Sequence, residues 1–204
     1  MGFLKKLMKR DDRYARIGKM KAAKKDAKVF DRAYFEKRHE EELRFLNAER
    51  SRFLVQMAYL TAIKETFGFG KERLNRVTVK AVNTADCCEN CKMFTLKEIR
   101  DQLELETGYD VPLDDHVKGN AFMQETKHIV DEITVFYLWA LNDLFGMKAK
   151  RLARTYAETE RVSKMFMHDS SMVYEKTKEI EDAGLRMTFH GKRAIDLAKE
   201  IAKL

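Results

Sequence analysis

YLTAIKETFGFGKERLNR at residues 59–76 and YLWALNDLFGMKAKRLAR at residues 137–154 align without a gap at a constant shift of 78 positions. Eight of the eighteen pairs are identical, among them Tyr59/Tyr137, Phe67/Phe145, Gly68/Gly146, Arg73/Arg151 and Arg76/Arg154. Ile63/Leu141 and Phe69/Met147 keep apolar character at two more. That density exceeds what two unrelated amphipathic helices share, and an internal repeat sets the architecture before any other signal. Each stretch reads as an apolar helix, a Gly turn and a basic helix. Gly68 and Gly146 suit the left-handed position that closes a helix, and Phe67 and Phe69 can clamp the first turn from either side.

Before the first turn, Ala22 to Phe67 contains neither Gly nor Pro, and Leu43, Leu46, Arg50, Phe53, Met57, Leu60, Lys64 and Phe67 follow steps of three and four. This is a heptad seam interrupted by charge, expected to pack lengthwise on other helices. Whether it closes within the chain or across the twofold axis of a homodimer is open. After the turn, Leu74, Val77, Ala81 and Val82 share a face until the pattern decays at Asn83 to Asn90. Thr95-Leu96-Lys97-Glu98 then forms a capping box, in which the Thr95 hydroxyl and the Glu98 carboxylate each satisfy the other's backbone amide. Leu96, Ile99 and Leu103 make the buried stripe of that helix, and Gly108 closes it ahead of Pro112, the single proline.

The second half repeats this order. An apolar helix runs over 122–145, a basic helix starts near Lys148, and Asp169 to Ser171 supply caps for a further helix closed at Gly184. LELETGY at 103–109 is echoed by EIEDAGL at 179–185, now at a shift of 76. A last helix, 192–204, has no earlier counterpart and caps the stack. No segment sustains period-two alternation, so the fold class expected is all-α: two tandem copies of a helical unit with a basic N-terminal arm and a C-terminal capping helix. The expected division is 1–28 (arm), 29–118 (first unit), 119–190 (second unit) and 191–204 (capping helix).

The net charge is +7, and residues 1–30 carry +8 of it, leaving the remainder close to neutral. Lys5, Lys6, Lys9, Arg10 and Arg13 surround an apolar stripe of Phe3, Leu4, Leu7 and Met8. A cationic arm of this kind suits nucleic acid or another polyanion, an anionic surface, or a stripe docked on protein. No apolar run approaches the roughly 18 residues of a membrane span. The first ten residues lack the core and cleavage site of a signal peptide, and Lys6 breaks the myristoylation pattern. Three cysteines, Cys87, Cys88 and Cys91, cannot form an even disulfide framework, which fits a reducing compartment, the host cytoplasm.

AIKETFGFGKERLNR followed by TLKEIRDQLELETGYDV resembles small, uncharacterised proteins encoded in phages and prophages of Gram-positive bacteria. In them an A-L-x-x-x-F-G-F-G-x-x-R-L-x-R stretch precedes a helix ending in T-G. The likeness covers roughly residues 55–113 and, more weakly, 133–189. It implies phage origin and a helical unit, and it carries no activity with it.

Gly68-Phe69-Gly70-Lys71 is not a phosphate loop. One residue separates the glycines where four must precede the Gly-Lys pair, and Glu72 stands where the magnesium-binding Ser or Thr belongs. No dinucleotide fingerprint is present either, since the glycines follow a helix and not a strand. Cys88 and Cys91 have C-x-x-C spacing, which lets two thiolates reach one zinc, but no second ligand pair follows, and the candidate partners His116 and His128 lie well downstream without pair spacing. No cofactor is expected. No serine has nucleophile-elbow context and no two histidines have ligand spacing, so the expected function is non-enzymatic.

The basic helices carry more weight. Lys71, Arg73 and Arg76, and in the second copy Lys148, Lys150, Arg151 and Arg154, load cations into the first turns of a helix, where the macrodipole prefers anions by about 0.3–1 kcal/mol each. Two explanations compete: the arginines pair with neighbouring acids such as Glu65, Glu72 or Asp143, or they meet phosphates. The leading expectation is a phage accessory protein engaging nucleic acid or a host nucleic-acid-handling complex through these helices and the arm. The alternative is an anti-defence, anti-CRISPR-like inhibitor that blocks a host effector by direct protein binding.

Overall fold

The computed structural model describes residues 34, 36–41, 43–113, 120–189 and 191–203, with backbone alone at 121 and 122. The basic arm with Lys5, Lys6, Lys9, Arg10 and Arg13, and also His116, lie outside the described residues. The chain divides into two compact units, Met1–Leu46 and Asn47–Leu204. In the first, the described residues are helical, and Tyr34, Leu43, Phe45 and Leu46 are exposed. The seam expected from Leu43 onward is therefore buried only from Phe53, where the core of the second unit begins.

The second unit is all-α. It contains α1 (residues 47–67), α2 (Lys71–Glu89), α3 (Leu96–Thr107), α4 (Ala121–Phe145), α5 (Ala149–His168), α6 (Ser171–Asp182) and α7 (Ala194–Ile201). No described helix is long and apolar enough to cross a membrane. Between α6 and α7, two-residue strands β1 (Thr188–Phe189) and β2 (Lys192–Arg193) pair antiparallel around Gly191. This hairpin was not expected. Two residues per strand are too few for alternation to register, and it shortens the last helix from the expected 192–204 to Ala194–Ile201.

α1 and α4 are the inner helices. Every residue from Met57 to Ile63 in α1 and from Ile133 to Leu138 in α4 is buried, more than one face of a helix can account for. The other helices wrap them. α2 contributes Leu74, Val77 and Ala81, and α5 contributes Leu152, Thr155, Thr159, Val162 and Phe166. α2 and α3 both pack on α4. Tyr59 of α1 and Tyr137 of α4 stack, with ring centroids 5.2 Å apart and planes 27° apart. Burial pushes both phenols well above their ordinary range.

Both turns that follow the inner helices have one geometry. Gly68 (φ 65°) and Gly146 (φ 60°) are left-handed, and each amide donates to the carbonyl four residues back, Lys64 and Asn142. Phe69 and Met147 follow, each nearly fully buried, and α2 and α5 start at Lys71 and Ala149, again 78 apart. The capping box at Thr95 and Glu98 forms as expected, and it holds the Glu98 carboxyl below the usual carboxylate range.

Candidate nucleic-acid interface

The two turns bring α2 and α5 side by side at their starts, and the concave surface between them has a volume of about 860 Å³. Its floor is apolar: Phe67 and Phe69 from the first turn, Leu144, Phe145 and Met147 from the second. The Phe69 and Phe145 rings meet at 4.8 Å, and Phe67 lies 5.9 Å from Phe69. Around this floor stand Arg73 and Arg76 from α2, and Lys150, Arg151 and Arg154 from α5. Residues 74 positions apart or more in sequence thus form one basic rim.

Two of the guanidinium groups are fixed on ring faces, Arg73 over Phe69 and Arg76 over Phe145, each 5.5 Å from the ring centroid. A guanidinium laid on a ring keeps its N–H donors at its edge, where a phosphate or carboxylate can take two of them at once. All five cations are exposed, and none forms an ion pair with a described carboxylate. Of the neighbouring acids, two are engaged elsewhere, while Glu158, one turn along α5, lies close enough to Arg154 for that charge to help hold its carboxyl down. Asp143 pairs with Lys80 at 2.8 Å, and Glu65 is held by Arg161 and Lys176, each at 2.9 Å. Neither helix start has a side-chain cap, at Gly70 or at Lys148, so the free amides of both first turns add to the positive potential.

Two of the expected binding residues do not belong to the rim. Lys148 donates to the Glu106 carbonyl at 3.0 Å and to Asn142 Oδ1 at 3.3 Å, so its ammonium ties α3 to the turn before α5. Lys71 lies against Gly184, whose backbone would place a Cβ 2.9 Å from Lys71 Cδ. Lys150, two residues past Lys148, takes the place on the rim. The aromatic floor was legible only as a turn clamp, because nothing in either copy alone says that the two turns meet.

Cys87 and Cys88 are half-buried in the last turn of α2 and Cys91 is exposed beyond it. Burial, with Cys87 and Glu132 beside it, pushes the Cys88 thiol up, opposite to the shift that makes a thiolate ligand. His128 Nε2 lies 3.1 Å from Glu132 one helical turn away. Among the described residues, no three His, Cys, Asp or Glu side chains are placed to hold a metal ion. Compared with protein families, with curated proteins and with solved structures, the chain matches none.

Proposed function

We propose that the chain is a non-enzymatic accessory protein, of phage origin by its resemblance, that binds nucleic acid through the rim of Arg73, Arg76, Lys150, Arg151 and Arg154. The observation that carries this reading is the gathering of five exposed cations from two distant helix starts over one apolar floor, with no described acid pairing any of them. Surface arginines usually lie along acids of their own helix. Here Arg73 and Arg76 lie on phenyl rings instead, which orients their donors without neutralising them.

Contacts of this kind go to the phosphate backbone and carry little sequence information. The protein is therefore a general nucleic-acid binder at this groove, with affinity dominated by counterion release. The corresponding starts of α2 and α5, and the mutual contact of Tyr59 with Tyr137, fit a duplicated unit whose halves are related by a local twofold. Such a relation offers matching cation sets to two phosphate tracks. Fluorescence anisotropy with labelled duplex DNA, single-stranded DNA and RNA tests the reading. Binding at low salt that weakens at least tenfold in Arg73→Ala/Arg76→Ala and in Arg151→Ala/Arg154→Ala supports it; no binding to any of the three removes it.

A further inference from the structure

Two clefts flank the stacked tyrosines, and they are built from the same positions of the chain. One, about 260 Å³, lies beside Tyr137 among α1, α2 and α4. The other, about 410 Å³, lies beside Tyr59 among α1, α4 and α5. Ten lining positions of the first recur in the second at the shift of 78, among them Tyr137 and Tyr59, Ile133 and Val55, and Ala85 and Ser163. The clefts differ in what closes them. Phe189 of β1 lines the smaller one and packs edge-on against Phe53 of α1, with centroids 5.1 Å apart. At the shift of 76 that relates the segments after α3 and α6, with Val111 and Met187 both buried, the residue matching Phe189 is Leu113, which does not line the larger cleft.

Among the described residues, the larger cleft therefore has no ring at the position that Phe189 fills in its twin, although Tyr156 and Phe166 line it elsewhere. It also has an unsatisfied polar group. Tyr59 is 1% exposed, and its hydroxyl makes no hydrogen bond of ordinary geometry: Thr134 interacts with it only weakly, and Tyr156 and Glu160 of the same cleft act on it through their charge. A buried hydroxyl left unpaired is destabilising, and such groups are satisfied by a partner or mark a place where one binds. Most of the exposed wall surface is apolar, from Leu54, Val55, Val130 and Phe166, with polar and charged residues such as Ser163 and Lys164 also lining it.

We propose that this cleft binds a small molecule with a single aromatic ring and one hydrogen-bonding substituent. The ring lies between Val55 and Val130, in the role that Phe189 has in the twin cleft, and the substituent meets the Tyr59 hydroxyl. A volume of about 410 Å³ is within the usual range for small-molecule sites, and an apolar lining with few convergent polar groups is their usual composition. A phenol satisfies the shape and the hydrogen bond together.

The test uses p-cresol and toluene, which differ by one hydroxyl, titrated into the full chain by ligand-detected NMR or calorimetry. Three variants accompany the wild type: Tyr59→Phe, which removes the unpaired atom and keeps the ring; Ser163→Phe, which fills the cleft from α5; and Ser163→Met, which fills it less severely. The expected result is saturable p-cresol binding that falls about three- to tenfold in Tyr59→Phe while toluene is unchanged, the size of one net hydrogen bond. Both Ser163 variants weaken both ligands. No saturable binding of p-cresol, equal responses of the two ligands to Tyr59→Phe, or affinity unchanged in folded Ser163→Met would overturn the assignment. An aromatic side chain presented by a protein partner is the reading left by the first of these results.

Discussion

Tyr59 and Tyr137 occupy the same position of the two matching stretches and stack on one another at 5.2 Å in the middle of the core. Neither hydroxyl makes a hydrogen bond of ordinary geometry, and only a weak interaction, with Thr134 for Tyr59 and with Thr78 for Tyr137, reaches them. Tyr137→Phe and Tyr59→Phe are therefore expected to leave stability unchanged or raise it by up to about 1 kcal/mol, because the desolvated hydroxyl is removed and the ring contact stays. Either Tyr→Ala change should lower it by about 3–5 kcal/mol. Urea unfolding followed by circular dichroism checks both; a Phe variant less stable by more than about 1 kcal/mol would mean that the hydroxyl is bonded after all.

Arg161 does for one half what a direct ion pair does for the other. Lys80 and Asp143 pair at 2.8 Å between α2 and α4, while the corresponding positions in α5 and α1 are both acidic, Glu158 and Glu65. Arg161 bridges them at 2.8 and 2.9 Å, and its hydrogen bond holds the Glu158 carboxyl below the usual carboxylate range. A depressed carboxylate pKa contributes stability that is full above the unfolded value and is lost as pH falls through the folded one. Arg161→Ala should thus cost about 0.5–1 kcal/mol near pH 7, as for a largely exposed pair, and progressively less below about pH 4 as the carboxylates take up protons. Urea midpoints across that range decide it; a loss independent of pH would point to packing.

The three glycines of the first turn and its counterpart should separate cleanly. Gly68 and Gly146 are left-handed, with open space where a Cβ would stand, so Gly68→Ala and Gly146→Ala should each cost about 1–2 kcal/mol through backbone strain alone. Gly70 has φ −82° and open space too, and it caps α2 without a side chain. Gly70→Ser should stabilise by a few tenths of a kcal/mol through a new cap. Thermal melts of the three variants suffice, and equal shifts for Gly68→Ala and Gly70→Ser would contradict the assignment.

Much of this architecture could be read from residue spacing. The helix ends at Phe67 and Phe145 were marked by glycines, the start of α3 by its capping box, and the buried face of α2 by its periodicity, except that Val82 is exposed. What stayed hidden depends on how the halves meet. Arg73 and Arg154 join one rim only because both turns converge, and Lys148 leaves it only because Glu106 comes within reach. The cleft beside Tyr59 left no periodic trace, since its lining mixes core residues such as Leu54 and Val55 with polar residues such as Ser51 and Glu160 from different helices. The seam at Leu43 and Leu46 misled in the other direction, because helical spacing records which residues share a face and not whether anything covers it.

The central claim is that the arginine rim meets phosphates, and its most direct measurement is the dependence of duplex DNA affinity on salt. Each phosphate neutralised contributes about 0.9 to the slope of log affinity against log salt concentration. Removing Arg73, Arg76, Arg151 and Arg154 together should shrink that slope by about two to four, in a protein whose helical signal and melting are preserved. A slope unchanged in the folded quadruple variant would contradict the account and place any DNA contact elsewhere on the chain.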